Sequence, residues 1–103
     1  MAQWVDACAT GDVDAEDVIR FDHGARTFVI IRDHEDNYYC TDGLCTHEDV
    51  HLEGGLVVEA TIECPKHSSI FDCKSGEVET PPACESLCTY PVKLDGGRVF
   101  VEI

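Results

Sequence analysis

Apolar residues in this chain come in short runs, interrupted every few positions by Gly, Pro, Asp or Asn. That rhythm predicts strands joined by turns. The C-terminal end gives the clearest case. Tyr90, Val92 and Leu94 alternate with other residue types and are expected to share one face of a strand. Asp95, Gly96 and Gly97 supply a turn, and Val99, Val101 and Ile103 are expected to share one face of the returning strand. Alternation and turn chemistry together predict a hairpin. Earlier in the chain, Trp4 and Val5 read as a first short strand and residues 17–21 as a second. Residues 27–32 are rich in β-branched side chains and read as a buried strand. An acidic turn over residues 33–36 then leads into a return strand over 37–40.

No segment carries a helical stripe. Residues 11–18 have room for one turn of helix but too few apolar residues to anchor it. Residues 41–84 differ from the rest. They are dense in Cys, His, Gly and Pro, and their apolar segments are short. Such a stretch is not expected to build its own core, so a bound group is expected to hold it together.

Composition narrows the function. The chain has 103 residues, enough for one domain, and is 44% hydrophobic, ordinary for a globular protein. Twenty-one acids against seven bases give a formal charge of −14. Nucleic acid and anionic membranes are excluded as expected partners, because both need clustered Lys and Arg. A protein with a basic docking face fits better. The N-terminal residues show no signal-peptide pattern. The longest clean apolar run, 28–31, is far too short to span a bilayer, so a cytoplasmic location is expected. Seven cysteines, an odd number, then suggest metal or redox chemistry ahead of a disulfide scaffold.

Their spacing carries the chemistry. Cys45-Thr46-His47 is followed, sixteen residues later, by Cys64-Pro65-Lys66-His67. Two thiolates and two imidazoles suit a tetrahedral zinc or an iron–sulfur centre. Zinc fingers with two Cys and two His group the like residues together. Here each loop offers one Cys and one His, which suits a two-iron cluster with both Cys on one iron and both His on the other.

These segments resemble a known family. Residues 45–55, CTHEDVHLEGG, are similar to the first cluster loop of Rieske proteins, and residues 64–72, CPKHSSIFD, to the second. Ser75-Gly76-Glu77 and Pro81-Pro82-Ala83 resemble the turn and proline loop that cover the cluster, and residues 89–103 the closing hairpin of Rieske ferredoxins. The resemblance implies an all-β fold: a Rieske-type antiparallel β-sandwich forming a single domain over 1–103, with a small cluster-binding subdomain at roughly 41–84. It implies one [2Fe–2S] cluster, with Cys45 and Cys64 on the inner iron and His47 and His67 on the outer, reducible one. Neutral imidazoles donate less charge than thiolates, so such clusters have raised potentials, roughly −150 to +300 mV.

The implied function is that of a soluble ferredoxin, monomeric and not itself an enzyme. It would pass single electrons from a flavin- and NAD(P)H-dependent ferredoxin reductase to a terminal oxygenase, often a ring-hydroxylating dioxygenase. A Rieske subunit or domain of another oxidoreductase complex, and a zinc-binding structural module, are the alternatives. An oxygenase itself would need a mononuclear iron site, for which the Rieske fold leaves no residues in this chain.

Departures from the pattern refine this expectation. Val50 and Lys66 match the positions where respiratory Rieske proteins carry a disulfide. Phe71 matches their cluster-facing Tyr, and Ser69 a Ser that can bond a bridging sulfide. Fewer hydrogen bonds to sulfur imply the low end of the Rieske range. Ser68 replaces the usual Gly. His51 is not expected to be a ligand, and His23 and His34 are expected to be solvated. Cys8, Cys40, Cys73, Cys84 and Cys88 are read as buried small side chains or inert thiols, and a Cys84–Cys88 disulfide is not favoured. Glu48 and Asp49, with Lys66, flank the ligands as loop charges.

Overall fold

A computed structural model describes residues 2–46, 50–66, 69–80 and 85–103. Among them are eleven strands: β1 (Trp4–Ala9), β2 (Asp17–His23), β3 (Arg26–Arg32), β4 (Tyr38–Asp42), β5 (Leu56–Val58), β6 (Thr61–Glu63), β7 (Ile70–Asp72), β8 (Val78–Thr80), β9 (Thr89–Tyr90), β10 (Val92–Asp95) and β11 (Arg98–Glu102). All strand pairs are antiparallel. They form three sheets, ordered β1-β11-β10, β2-β3-β4-β9 and β5-β6-β7-β8. The expected strands are all present, several of them one to four residues longer. Residues 11–18 hold no helical turn of α type: a single 3₁₀ turn spans Thr10–Asp12, and Val13 beyond it is fully buried.

Strand β3 is the hinge of the architecture. Phe28, Val29, Ile30 and Ile31 are all fully buried, because both faces of the strand are covered. Phe28 and Ile30 join Cys8, Val13, Cys40, Val99 and Val101 in one core. Val29 and Ile31 point the other way and join Leu52, Val57, Ile62, Phe71, Cys73 and Leu87 in a second. Side-chain alternation along one strand therefore serves two layers. Burying each Ile or Phe of this kind is worth about 1.5–3 kcal/mol.

The second core corrects the expectation for the middle of the chain. Residues 41–84 contain a four-stranded meander, β5 to β8, whose inward residues Val57, Ile62 and Phe71 pack with Val18, Val29 and Ile31 of the larger sheet. The subdomain is thus held by apolar packing borrowed from β2 and β3, before any bound group is considered.

The C-terminal hairpin forms as expected, with Asp95 opposite Arg98 and both Gly96 and Gly97 at positive φ, 56° and 76°. That is the backbone a two-residue turn of this hand requires. Of the expected face of Tyr90, Val92 and Leu94, Tyr90 and Val92 both pack against the first core, and Leu94 does not. Tyr90 pairs with Cys40 in the second sheet, whereas Val92 pairs with Val101 in the first. Pro91, which has no N–H to donate, stands where the chain changes sheets. Leu94 is 51% exposed, on β10 at the edge of its sheet. No helix among the described residues is long and apolar enough to cross a membrane.

Candidate iron–sulfur centre

Cys45 and Cys64 head two loops closed in the same way. The Cys45 N–H donates to the Val50 carbonyl at 2.9 Å, and the Cys64 N–H donates to the Ser69 carbonyl at 2.7 Å. Each bond spans five positions of chain. The first loop is framed further by the Leu44–His51 bridge and by the Leu52 N–H donating to the Gly43 carbonyl at 2.8 Å. The second rises from β6 and returns into β7. Both cysteines are deeply buried, 4% and 2% exposed, against the apolar side chains of the second core.

A third segment, 85–88, is stitched over this region. Thr46 Oγ1 donates to the Glu85 carbonyl at 2.6 Å, the Leu87 N–H donates to the Gly76 carbonyl at 2.7 Å, and the Asp42 N–H donates to the Cys88 carbonyl at 3.0 Å. Gly76 permits this approach. Its φ is +77°, and a Cβ there would lie 2.1 Å from the Leu87 carbonyl oxygen. Gly55 is equally confined, with the Glu63 carbonyl 2.5 Å from a Cβ position.

His47 and His67, with Glu48, Asp49 and Ser68, lie outside the described residues, as do Pro81, Pro82, Ala83 and Cys84. Ser69 is fully buried and Phe71 is buried in the second core, while Val50 packs at its margin and Lys66 is exposed. His23 and His34 are exposed, as expected.

The other cysteines divide clearly. Cys8, Cys40 and Cys73 are buried, and burial pushes the Cys40 and Cys73 thiols up to about 12, with nearby carboxylates adding to the effect. They are protonated and inert. Of the two readings, a buried small side chain or an inert thiol, burial does not hold for Cys88, which is exposed.

Sequence reasoning missed His51. It is half-buried and fully engaged: Nδ1 accepts from the Glu53 N–H at 3.1 Å, and Nε2 lies 2.7 Å from Thr27 Oγ1. Its partner Thr27 lies 24 positions away in sequence, so no local pattern marked the contact.

Two buried cysteines at the heads of two equivalent loops are a donor set suited to one iron, since a thiolate in apolar surroundings needs a bound cation. The sequence also matches the Rieske [2Fe-2S] domain over residues 3–91. The chain belongs to the Rieske family. Its cofactor is accordingly one [2Fe–2S] cluster. Among Rieske proteins it is similar to the ferredoxin component of the naphthalene 1,2-dioxygenase system of Pseudomonas aeruginosa, 32% identical over 101 residues, covering 98% of this chain and 96% of the relative. It is also 32% identical over 98 residues to the 3-phenylpropionate/cinnamic acid dioxygenase ferredoxin subunit of Escherichia coli K12, covering 94% and 91% of the two chains. Among solved structures, a chain in the complex of reduced oxygenase and oxidized ferredoxin of carbazole 1,9a-dioxygenase superposes with a TM-score of 0.88 at 28% identity, over 95% of this chain and 91% of that one.

Proposed function

We propose that this Rieske protein is the ferredoxin of a multicomponent oxygenase system. It accepts single electrons from a flavin-dependent reductase and delivers them to a terminal oxygenase of the ring-hydroxylating type. The observation that carries this reading is the pair of buried cysteines at the heads of equivalent loops, in a chain that covers ferredoxin components almost end to end. The cluster would be held by Cys45, His47, Cys64 and His67, within a single domain over 1–103 whose cluster-binding part is roughly 41–84.

When bound, the cluster supplies one-electron redox chemistry in the range typical of Rieske centres. The chain's own residues do the rest. Leu52, Ile62 and Phe71 exclude water from the cysteine side. The two closing hydrogen bonds fix the loop heads, and the 85–88 segment ties the first loop and the β7–β8 turn to β4. The formal charge of −14 favours encounter with partners that present a basic face. A reducing, cytoplasmic setting is supported by the free thiols of Cys8, Cys40, Cys73 and Cys88.

Iron and acid-labile sulfide analysis, with electron paramagnetic resonance of the reduced protein, tests the cluster assignment. Equal iron and sulfide with a Rieske spectrum is expected; zinc without sulfide would overturn it. Reconstitution with a reductase and an oxygenase from the same source tests the role. Electron delivery to the oxygenase is expected, and its absence with every such oxygenase would refute the reading.

A further inference from the structure

The hydrogen bonds around His51 fix its protonation without ambiguity. Thr27 Oγ1 lies 2.5 Å from Asp22 Oδ1, and a carboxylate only accepts, so the Thr27 proton is committed to Asp22. Thr27 Oγ1 must then accept from His51, which places a proton on Nε2. Nδ1 accepts from the Glu53 N–H and therefore carries none. The imidazole is neutral and Nε2-protonated. Asp22 is itself pinned by Arg20 at 3.0 Å, and Arg20 also reaches Glu53 at 3.4 Å.

The position matters as much as the tautomer. His51 directly follows Val50, whose carbonyl closes the Cys45 loop, and precedes Leu52, whose N–H bonds Gly43. Its ring packs on Gly43, where a Cβ would meet Nε2 at 2.7 Å. The chain thus runs from the β2–β3 hairpin through two side chains into the closure of the first cysteine loop. We propose that His51 is the positioning residue of that loop, a neutral latch that fastens residues 43–46 and 50–53 to the β2–β3 hairpin through Thr27 and Asp22. Burial and Arg20 keep the ring uncharged, against the opposing pull of Glu53 and Asp22. The inference rests on the reading of Cys45 as a cluster ligand, but the latch itself is tested without it.

Amide hydrogen exchange on the cluster-loaded protein, resolved to the peptides covering residues 43–55, tests the latch. Thr27→Val removes the hydroxyl while keeping the branched shape, and His51→Leu removes both ring nitrogens. Either is expected to speed exchange of the Cys45, Leu52 and Glu53 amides about tenfold, the loss of one net hydrogen bond. His51→Gln keeps one donor and one acceptor and is expected to restore much of the protection. The reduced-state paramagnetic resonance g-values should shift in His51→Leu and Thr27→Val. They should not shift in Gly97→Ala, whose strain is at the far hairpin.

Unchanged exchange in both Thr27→Val and His51→Leu would overturn the latch, as would g-values that move equally in Gly97→Ala. Protein purified without iron and sulfide would instead overturn the Rieske reading. The exchange rates would still decide the latch.

Discussion

Replacing Gly76 by Ala separates what the segment over the site contributes from what an ordinary turn contributes. Gly76 has φ +77°, and an alanine there carries the left-handed backbone cost of about 1–2 kcal/mol. Its methyl would also lie 2.1 Å from the Leu87 carbonyl, so one of the two backbones must move. Movement breaks the 2.7 Å bond from the Leu87 N–H to the Gly76 carbonyl, a net loss of about 1 kcal/mol, and displaces a side chain that is 4% exposed in the second core. Overpacking at such a point adds ~1–3 kcal/mol. The whole effect is then about 3–6 kcal/mol, a large share of the ~5–15 kcal/mol stability of a domain this size. Gly97 is the control. Its φ is +76°, but nothing lies within 4 Å of its Cβ position, so Gly97→Ala should show the backbone cost alone. Urea unfolding of both variants, followed by circular dichroism with the slope checked for constancy, measures the difference directly. Gly76→Ala is expected to be less stable than Gly97→Ala by about 2 kcal/mol or more, and to lose its cluster absorbance earlier in the titration. Equal midpoints for the two would refute the idea that the 85–88 segment is seated on Gly76.

Asp33→Asn should lower stability at neutral pH by about 2 kcal/mol. Burial alone would push this carboxyl up, but donors from Asn37, Tyr39 and Glu35 outweigh it and hold the group below its ordinary value. The wild-type contribution is therefore full above about pH 4 and lost as pH falls through the lowered folded value. Acid unfolding should show a step that the variant lacks. Thiol labelling of the native cluster-loaded protein should modify Cys88 quickly and leave Cys40 and Cys73 untouched, and peptide mapping of a labelled Cys40 would contradict the inert-thiol reading. Electron transfer to the oxygenase should slow as salt rises, and rates independent of salt would remove the acidic surface from docking. His67→Cys, if it retains a cluster, should lower the midpoint potential, since a third thiolate in place of a neutral imidazole stabilises ferric iron; an unchanged potential would argue that His67 is not a ligand.

Much of the fold was legible where strands were long enough to show a period. β3 and the β10–β11 hairpin announced themselves through β-branched runs and through Asp95-Gly96-Gly97. The meander was not legible, because β5, β6, β7 and β8 are three residues each and a period of two cannot declare itself over so few positions. The same brevity hid the second core, whose residues Val57, Ile62 and Phe71 each come from a different short strand. Leu94 was misread because alternation identifies a face without saying whether anything covers it. At the site, Cys45 and Cys64 stood out by spacing, a local property. His51 did not, since Thr27 and Asp22 reach it only after the chain has folded back.

The two cores assign different work to the two faces of β3. Phe28 and Ile30 serve the core under the sheet that carries the termini. Val29 and Ile31 share the second core with Cys45 and Cys64, so one strand supports both the first layer and the loop heads. This arrangement lets the polar surroundings of the cluster vary without endangering the fold. Phe71 supplies packing at a place where a hydroxyl would alter the charge near sulfur, and Val50 supplies packing where a disulfide would add a covalent tie. Both side chains keep the apolar floor intact, Phe71 inside the second core and Val50 at its margin. The apolar support of the loop heads thus comes from beneath them, through β3 and the meander.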